Sequence, residues 1–142
     1  MSQTTKRALE ASLKKLLLEK PLNKITINDI TEDCGVNRMT FYYHFKDIYD
    51  LVDWILVEDA AKALEGFADR ECRDITVQDD DKQFVVDFYK YALVGVVLEW
   101  VRRDMKTDPA VIVERMGRML QGDMRRALCR LASNKIHMVQ EN

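Results

Sequence analysis

Two prolines and five glycines are few for a chain of 142 residues. These are the usual breakers of helices, so their scarcity predicts long uninterrupted ones. The three cysteines, Cys34, Cys72 and Cys129, are an odd number at wide spacing, with no C-x-x-C pair. That pattern spells neither a zinc knuckle nor a redox motif, and free thiols in a reducing compartment are expected. With only His44 and His137, a histidine-based metal site is not expected. The run Asp79, Asp80, Asp81 lacks the glycine and glutamate of a calcium loop. There is no Walker loop, no dinucleotide fingerprint, and no Ser or Cys beside a base motif. Gly117 and Gly122 have a spacing like a phosphate loop, but Gln121 and Asp123 flank the second and no Lys-Ser/Thr follows. They are expected to pack helices together. No enzyme, cofactor or metal is anticipated.

Long apolar runs are also missing. The most apolar stretch, Tyr91 to Leu98, is too short to span a bilayer and is closed by Glu99. Met1 to Glu10 carries Lys6, Arg7 and Glu10 and no apolar h-region, so no signal peptide is expected. A soluble cytoplasmic protein with no membrane partner follows as an expectation. A strong net charge is absent as well: 22 basic and 24 acidic side chains leave a formal charge of -2. Any case for nucleic acid must therefore come from local charge. What is present is a hydrophobic fraction of 47%, enough to bury a core.

The chain reads as six helical segments, with no alternation long enough for a sheet. The first runs from about Thr4 to Lys20, with Leu9, Leu13, Leu16 and Leu17 on one face, Thr4 or Thr5 as cap and Pro21 beyond its end. The second starts after Thr26 as N-cap, with Asp29 in a capping-box position, and ends at Gly35. The third starts at Asn37, another N-cap, and ends near His44 or Phe45. The fourth runs from Asp47 to about Arg70. Glu71 to Lys82 reads as a solvated loop. The fifth, about Gln83 to Met105, is apolar around much of its circumference and so is expected to be buried on several sides. Asp108 as cap and Pro109 at the first helical position open the sixth, which runs to about Ala132. The end, Ser133 to Asn142, is expected to fray. The fold class is all-α, with a three-helix domain over residues 1–47 and a helical regulatory and dimerisation domain over 48–142.

The informative stretch is INDITEDCGVNRMTFYYHF, Ile27 to Phe45. Ile27, Ile30 and Cys34 share one face of a short helix. Gly35 stands where a tight turn needs positive φ, and Val36 plugs the space between two helices. Phe41 and Phe45 repeat at i, i+4 on the inner face of the next helix. This describes a helix-turn-helix. Its outward residues are Asn37, Arg38, Met39, Thr40, Tyr42, Tyr43, His44 and Lys46. From Asn37 to Lys46 there are two cations, a histidine and no acid. An acid there would repel phosphate. The helix N-terminus adds N–H groups and a positive dipole end. Arg38 and Thr40 are placed early enough to meet base edges in a major groove. Tyr42, Tyr43 and His44 can bond phosphates.

At these residues the sequence resembles the TetR family of regulators. The likeness rests on Ile30, Gly35-Val36, Asn37, Thr40-Phe41-Tyr42, His44-Phe45 and Asp50-Leu51, and covers about Lys6 to Ile55. It implies that Thr26, Asn37, Tyr42 and His44 touch phosphates of double-stranded operator DNA. It implies that Arg38, Met39, Thr40 and Tyr43 face bases. The family often has Lys three residues after the Phe; here that place is Ile48, and Lys46 stands nearby. The small residues usual before the turn are Thr31 and Cys34.

FVVDFYKYALVGVVLEWVRRDM is similar to the C-terminal region of a TetR subgroup that includes regulators of dihydroxyacetone kinase genes. In the family the last two long helices form a four-helix dimer interface. That implies a homodimer, with Val97, Trp100, Met116, Met119 and Leu120 as contacts on segments five and six. The resemblance also implies a small-molecule effector. Only Glu71 to Lys82 separates segments four and five, so a pocket would be small, built at the dimer interface, or absent. The alternative function is a helical interaction module that does not bind DNA.

Overall fold

A computed structural model describes the backbone of residues 2–140 and the side chains of residues 3–133; His137 lies outside the described side chains. Among the described residues the chain is all-α, with no strand. The helices are α1 (Ser2–Leu17), α2 (Ile27–Cys34), α3 (Arg38–His44), α4 (Ile48–Glu71), α5 (Asp79–Arg102), α6 (Pro109–Leu120) and α7 (Asp123–Gln140), with a one-turn 3-10 helix at Leu22–Lys24. None is long and apolar enough to cross a membrane. The chain divides into two compact units, Met1–Ile55 and Leu56–Asn142. The division falls at Ile55 rather than at 47/48. The first turns of α4 explain this, because Leu51 and Ile55 are buried and Trp54 lies 5.9 Å from the Phe45 ring.

In the first unit α1 packs on α2, and α2 on α3. Leu9, Leu13, Ile30, Phe41 and Leu51 are almost fully buried. Leu17 is not on the apolar face of α1; it stands 43% exposed. Helix α1 begins at Ser2, so Thr4 and Thr5 lie inside its first turn rather than capping it. Two ion pairs join α1 and the segment after it to α2: Lys15 to Asp33 at 2.7 Å and Lys20 to Asp29 at 2.8 Å.

In the second unit Leu64 and Ala68 of α4, Val85 and Val86 of α5, and Met124 and Leu128 of α7 form a buried cluster. Arg125 clamps its edge. The guanidinium donates to the Glu71 carbonyl at 2.7 Å and to both Asp74 carboxylate oxygens at 2.9 and 2.7 Å. A basic side chain thereby satisfies the open carbonyl end of α4. The three cysteines are free thiols.

Three expectations change here. The acid run at 79–81 is the first turn of α5, not loop. Carboxylates at a helix N-terminus meet the positive end of its dipole, so this run starts the helix instead of preventing it. The segment from Pro109 onward is two helices, broken at Gly122, whose φ is 76°. Gly122 therefore serves a turn. Gly117 packs against nothing: a Cβ there would meet no atom within 4 Å. Finally, α5 is not buried on several sides. Phe84, Phe88 and Tyr91 are 68%, 65% and 63% exposed.

Candidate nucleic-acid interface

The site is built on two local signals and one packing contact. Thr26 caps α2 reciprocally: its Oγ1 accepts the Asp29 N–H at 3.1 Å, and Asp29 Oδ2 accepts the Thr26 N–H at 2.8 Å. The Lys20 ammonium beside Asp29, followed by the Thr26 N–H, holds the Asp29 carboxyl down to about 2. Helix α2 ends at Gly35 in the left-handed region, φ 72° and ψ 26°. The Val36 N–H then closes back on the Thr31 carbonyl at 3.0 Å. Val36 itself is half-buried between the helices. Thr31 is buried, and its hydroxyl donates to the Ile27 carbonyl at 3.0 Å, so a polar residue fits this position unstrained.

Helix α3 starts at Asn37, whose Oδ1 accepts the Thr40 N–H at 2.8 Å and the Thr40 hydroxyl at 3.0 Å. Phe41 and Phe45 point inward, 0% and 4% exposed, with ring centroids 5.9 Å apart. That packing fixes the rotation of α3, and the remaining residues turn outward. Met39 and Tyr43 are 77% and 83% exposed. Arg38, Asn37, Tyr42 and Lys46 are exposed as well, while Thr40 and His44 are half-buried. The Tyr43 and His44 rings meet edge to face at 5.0 Å.

Arg38 is held in place. Its Nη2 donates to the Tyr42 hydroxyl at 3.2 Å, and its guanidinium lies 5.6 Å from the centre of the Tyr42 ring. The i, i+4 spacing makes the pair possible, and it limits the rotamer freedom of the long side chain. Thr26 and Asn37 spend acceptor oxygens on their caps. Each keeps donor hydrogens, the hydroxyl of Thr26 and the amide NH2 of Asn37, and donors are what a phosphate requires.

Sequence reasoning did not include Lys6 and Arg7 in this region. The Lys6 ammonium lies 5.7 Å from the ring centres of both Phe45 and Trp54, and the Arg7 guanidinium 4.9 Å from that of Trp54. A signal existed: Lys6, Leu9 and Leu13 recur at helical spacing, which puts Lys6 on the packed side of α1. A cation thus sits beside Phe45, although Ile48 holds the position where the family often has Lys.

The residues expected at a dimer contact are spread out. Met119 is 73% exposed. Val97, Met116, Trp100 and Leu120 are half-buried. Trp100 Nε1 donates to the Thr107 carbonyl at 2.8 Å, tying down the turn after α5. Leu120 lines a cavity of about 450 Å³ in the second unit, with Leu64, Phe67, Glu71, Tyr89 and Met124.

Two family models match adjoining parts of the chain. Residues 9–55 match the model described as bacterial regulatory proteins, tetR family, and residues 56–122 match the one described as transcriptional regulator C-terminal region. The chain belongs to the TetR family of transcriptional regulators. The junction between the two matches coincides with the division of the structure at Ile55 and Leu56. As a TetR-family regulator, the protein is a non-enzymatic transcription factor. No curated protein matches the chain significantly.

Proposed function

We propose that this regulator binds a pseudo-palindromic operator in double-stranded DNA as a homodimer, each copy laying α3 in a major groove. Half-sites one turn of DNA apart would be spaced by about 34–36 Å. The observation that carries the reading is the outward surface of α3. Its rotation is set by Phe41 and Phe45, it presents a braced Arg38 beside exposed Met39 and Tyr43, and no acid interrupts it from 37 to 46. In this reading Arg38, Met39, Thr40 and Tyr43 meet base edges. Thr26, Asn37, Tyr42, His44 and Lys46 meet phosphates and set the register.

The cavity in the second unit supports an effector site. Its volume of about 450 Å³ is in the range of small-molecule pockets, about 300–1,000 Å³. Apolar side chains line most of it, so the effector would be a largely apolar molecule. It would act by shifting the population of dimer geometries that fit the operator. The likeness of the α5 segment to regulators of dihydroxyacetone kinase genes assigns no effector.

Titrating labelled operator duplex with protein tests the reading. Arg38→Ala should lose about 1–3 kcal/mol of specific affinity, and Lys46→Ala should weaken all sequences alike while reducing the salt slope by about 1. Unchanged affinity for Arg38→Ala would remove it from base reading. No salt-dependent binding to any duplex would favour the alternative, an interaction module that does not use DNA.

A further inference from the structure

Helix α3 spans 7 residues, about 10 Å at roughly 1.5 Å of rise per residue. That is close to the width of a major groove, roughly 12 Å. With α3 in the groove, each of its ends comes near a sugar-phosphate backbone. Asn37 and Thr40 supply donors at the start. The far end closes in free carbonyls, the negative end of the helix dipole, which a phosphate approaches only beside cations.

Two cations stand at that end. Lys46 follows Phe45 in the chain and is exposed. Lys6 reaches the same place from α1, half-buried, with its ammonium 5.7 Å from the ring centres of both Phe45 and Trp54. Two aromatic faces brace the long side chain without consuming its three N–H donors. The charges around it are spent locally. Arg7 and Lys14 both pair with Glu10, at 2.9 and 2.8 Å. Asp50 Oδ2 accepts the Lys46 N–H at 2.9 Å, and Asp47 Oδ1 accepts the Asp50 N–H at 2.8 Å. Lys6 itself has no carboxylate partner among the described residues. We propose that Lys6 is a DNA-positioning residue: its braced ammonium holds one backbone phosphate at the C-terminal end of α3. An ammonium already held in place loses little freedom on binding, and the contact is indifferent to sequence.

This inference rests on the DNA reading above. Fluorescence anisotropy tests it with two labelled probes, a duplex of random sequence and a duplex selected from a random pool. Lys6→Met keeps an apolar side chain against the two rings and removes the charge. It should weaken both duplexes alike, by roughly 5–10-fold per copy at about 0.1 M salt, and lower the salt slope by about 0.9 per copy. Lys6→Arg keeps the charge and should restore both. The melting midpoint of Lys6→Met should fall by no more than about 2–4 °C, the loss of the ring contacts of the ammonium. Neutral methylphosphonates, placed one at a time along the selected duplex, then locate the contact. One position in each half-site should weaken the wild type and leave Lys6→Met unchanged. Equal affinity of Lys6→Met and wild type overturns the proposal. So does a loss confined to the selected duplex with the salt slope intact, which would mean that Lys6 only shapes α3. A wild type that binds neither duplex overturns the DNA reading and this contact with it.

Discussion

In the first unit the aromatic side chains of the recognition segment divide cleanly: Phe41 and Phe45 go inside, and Tyr43 goes to water with a hydroxyl to present. Caps and turns close locally, through the side chains of Thr26 and Asn37 and the backbone of Gly35. The second unit is different. Its longest helix, α5, keeps Phe84 and Phe88 in water, and α6 buries no residue at all. The core of the first unit is closed by its own sequence, and beside exposed Leu17, Leu18 and Met39 its outward face on α3 carries hydrogen-bonding groups. The second exposes bare hydrocarbon, which suits a protein surface. The two units thus expose surfaces of different chemistry.

The largest test of this contrast compares two phenylalanines. Phe41→Ala should cost about 3–5 kcal/mol of stability, because it empties a fully buried site. Phe84→Ala should stay within about 0.5 kcal/mol at protein concentrations where the chain is monomeric, as surface changes do. Urea denaturation followed by far-ultraviolet circular dichroism measures both. Similar losses would erase the difference between the units.

A smaller effect separates two glycines. Gly35→Ala forces a Cβ into the left-handed region and should destabilise by about 1–2 kcal/mol. Gly117→Ala lies inside α6 with open space around it, and should stabilise by about 0.5–1 kcal/mol. Thermal melts of the two variants give the signs. Removing the α2 cap with Thr26→Ala should cost about 1 kcal/mol.

The smallest effect is in pH. The folded Asp29 carboxyl titrates at about 2 against an ordinary 3.8, chiefly through Lys20. Asp33 is lowered too, by Lys15. A carboxylate depressed by folding adds stability above its unfolded value, and that stability is lost as pH falls through the folded one. The melting midpoint should therefore drop between about pH 4 and pH 2, with Lys20→Met showing a shallower drop. Asp29 is half-buried and Asp33 exposed, so solvent screening keeps the effect small.

The recognition segment was legible because its signals are local. A capping box spans three residues, and a left-handed glycine or an i, i+4 phenylalanine pair needs no knowledge of the rest of the chain. The same holds for Asp108 and Pro109 at the start of α6. What stayed hidden depended on neighbours. The periodicity of α5 marks its apolar positions but cannot say which arc another helix covers, so Phe84 and Phe88 read as core. The run at 79–81 has the composition of a loop and the position of a helix start, and only the second mattered. Gly122 ends a helix inside an apolar pattern that continues on both sides of it. Lys6 joins Phe45 only through tertiary packing.

The central claim is that the outward face of α3 reads DNA in a paired chain. Selection from a pool of random duplexes, at low and at physiological salt, beside an Arg38→Ala control, tests it most directly. The account predicts enrichment of a pseudo-palindrome that weakens as salt rises and that the control loses or relaxes at one position of each half-site. An unenriched pool, or a motif that the control selects equally well, would contradict it.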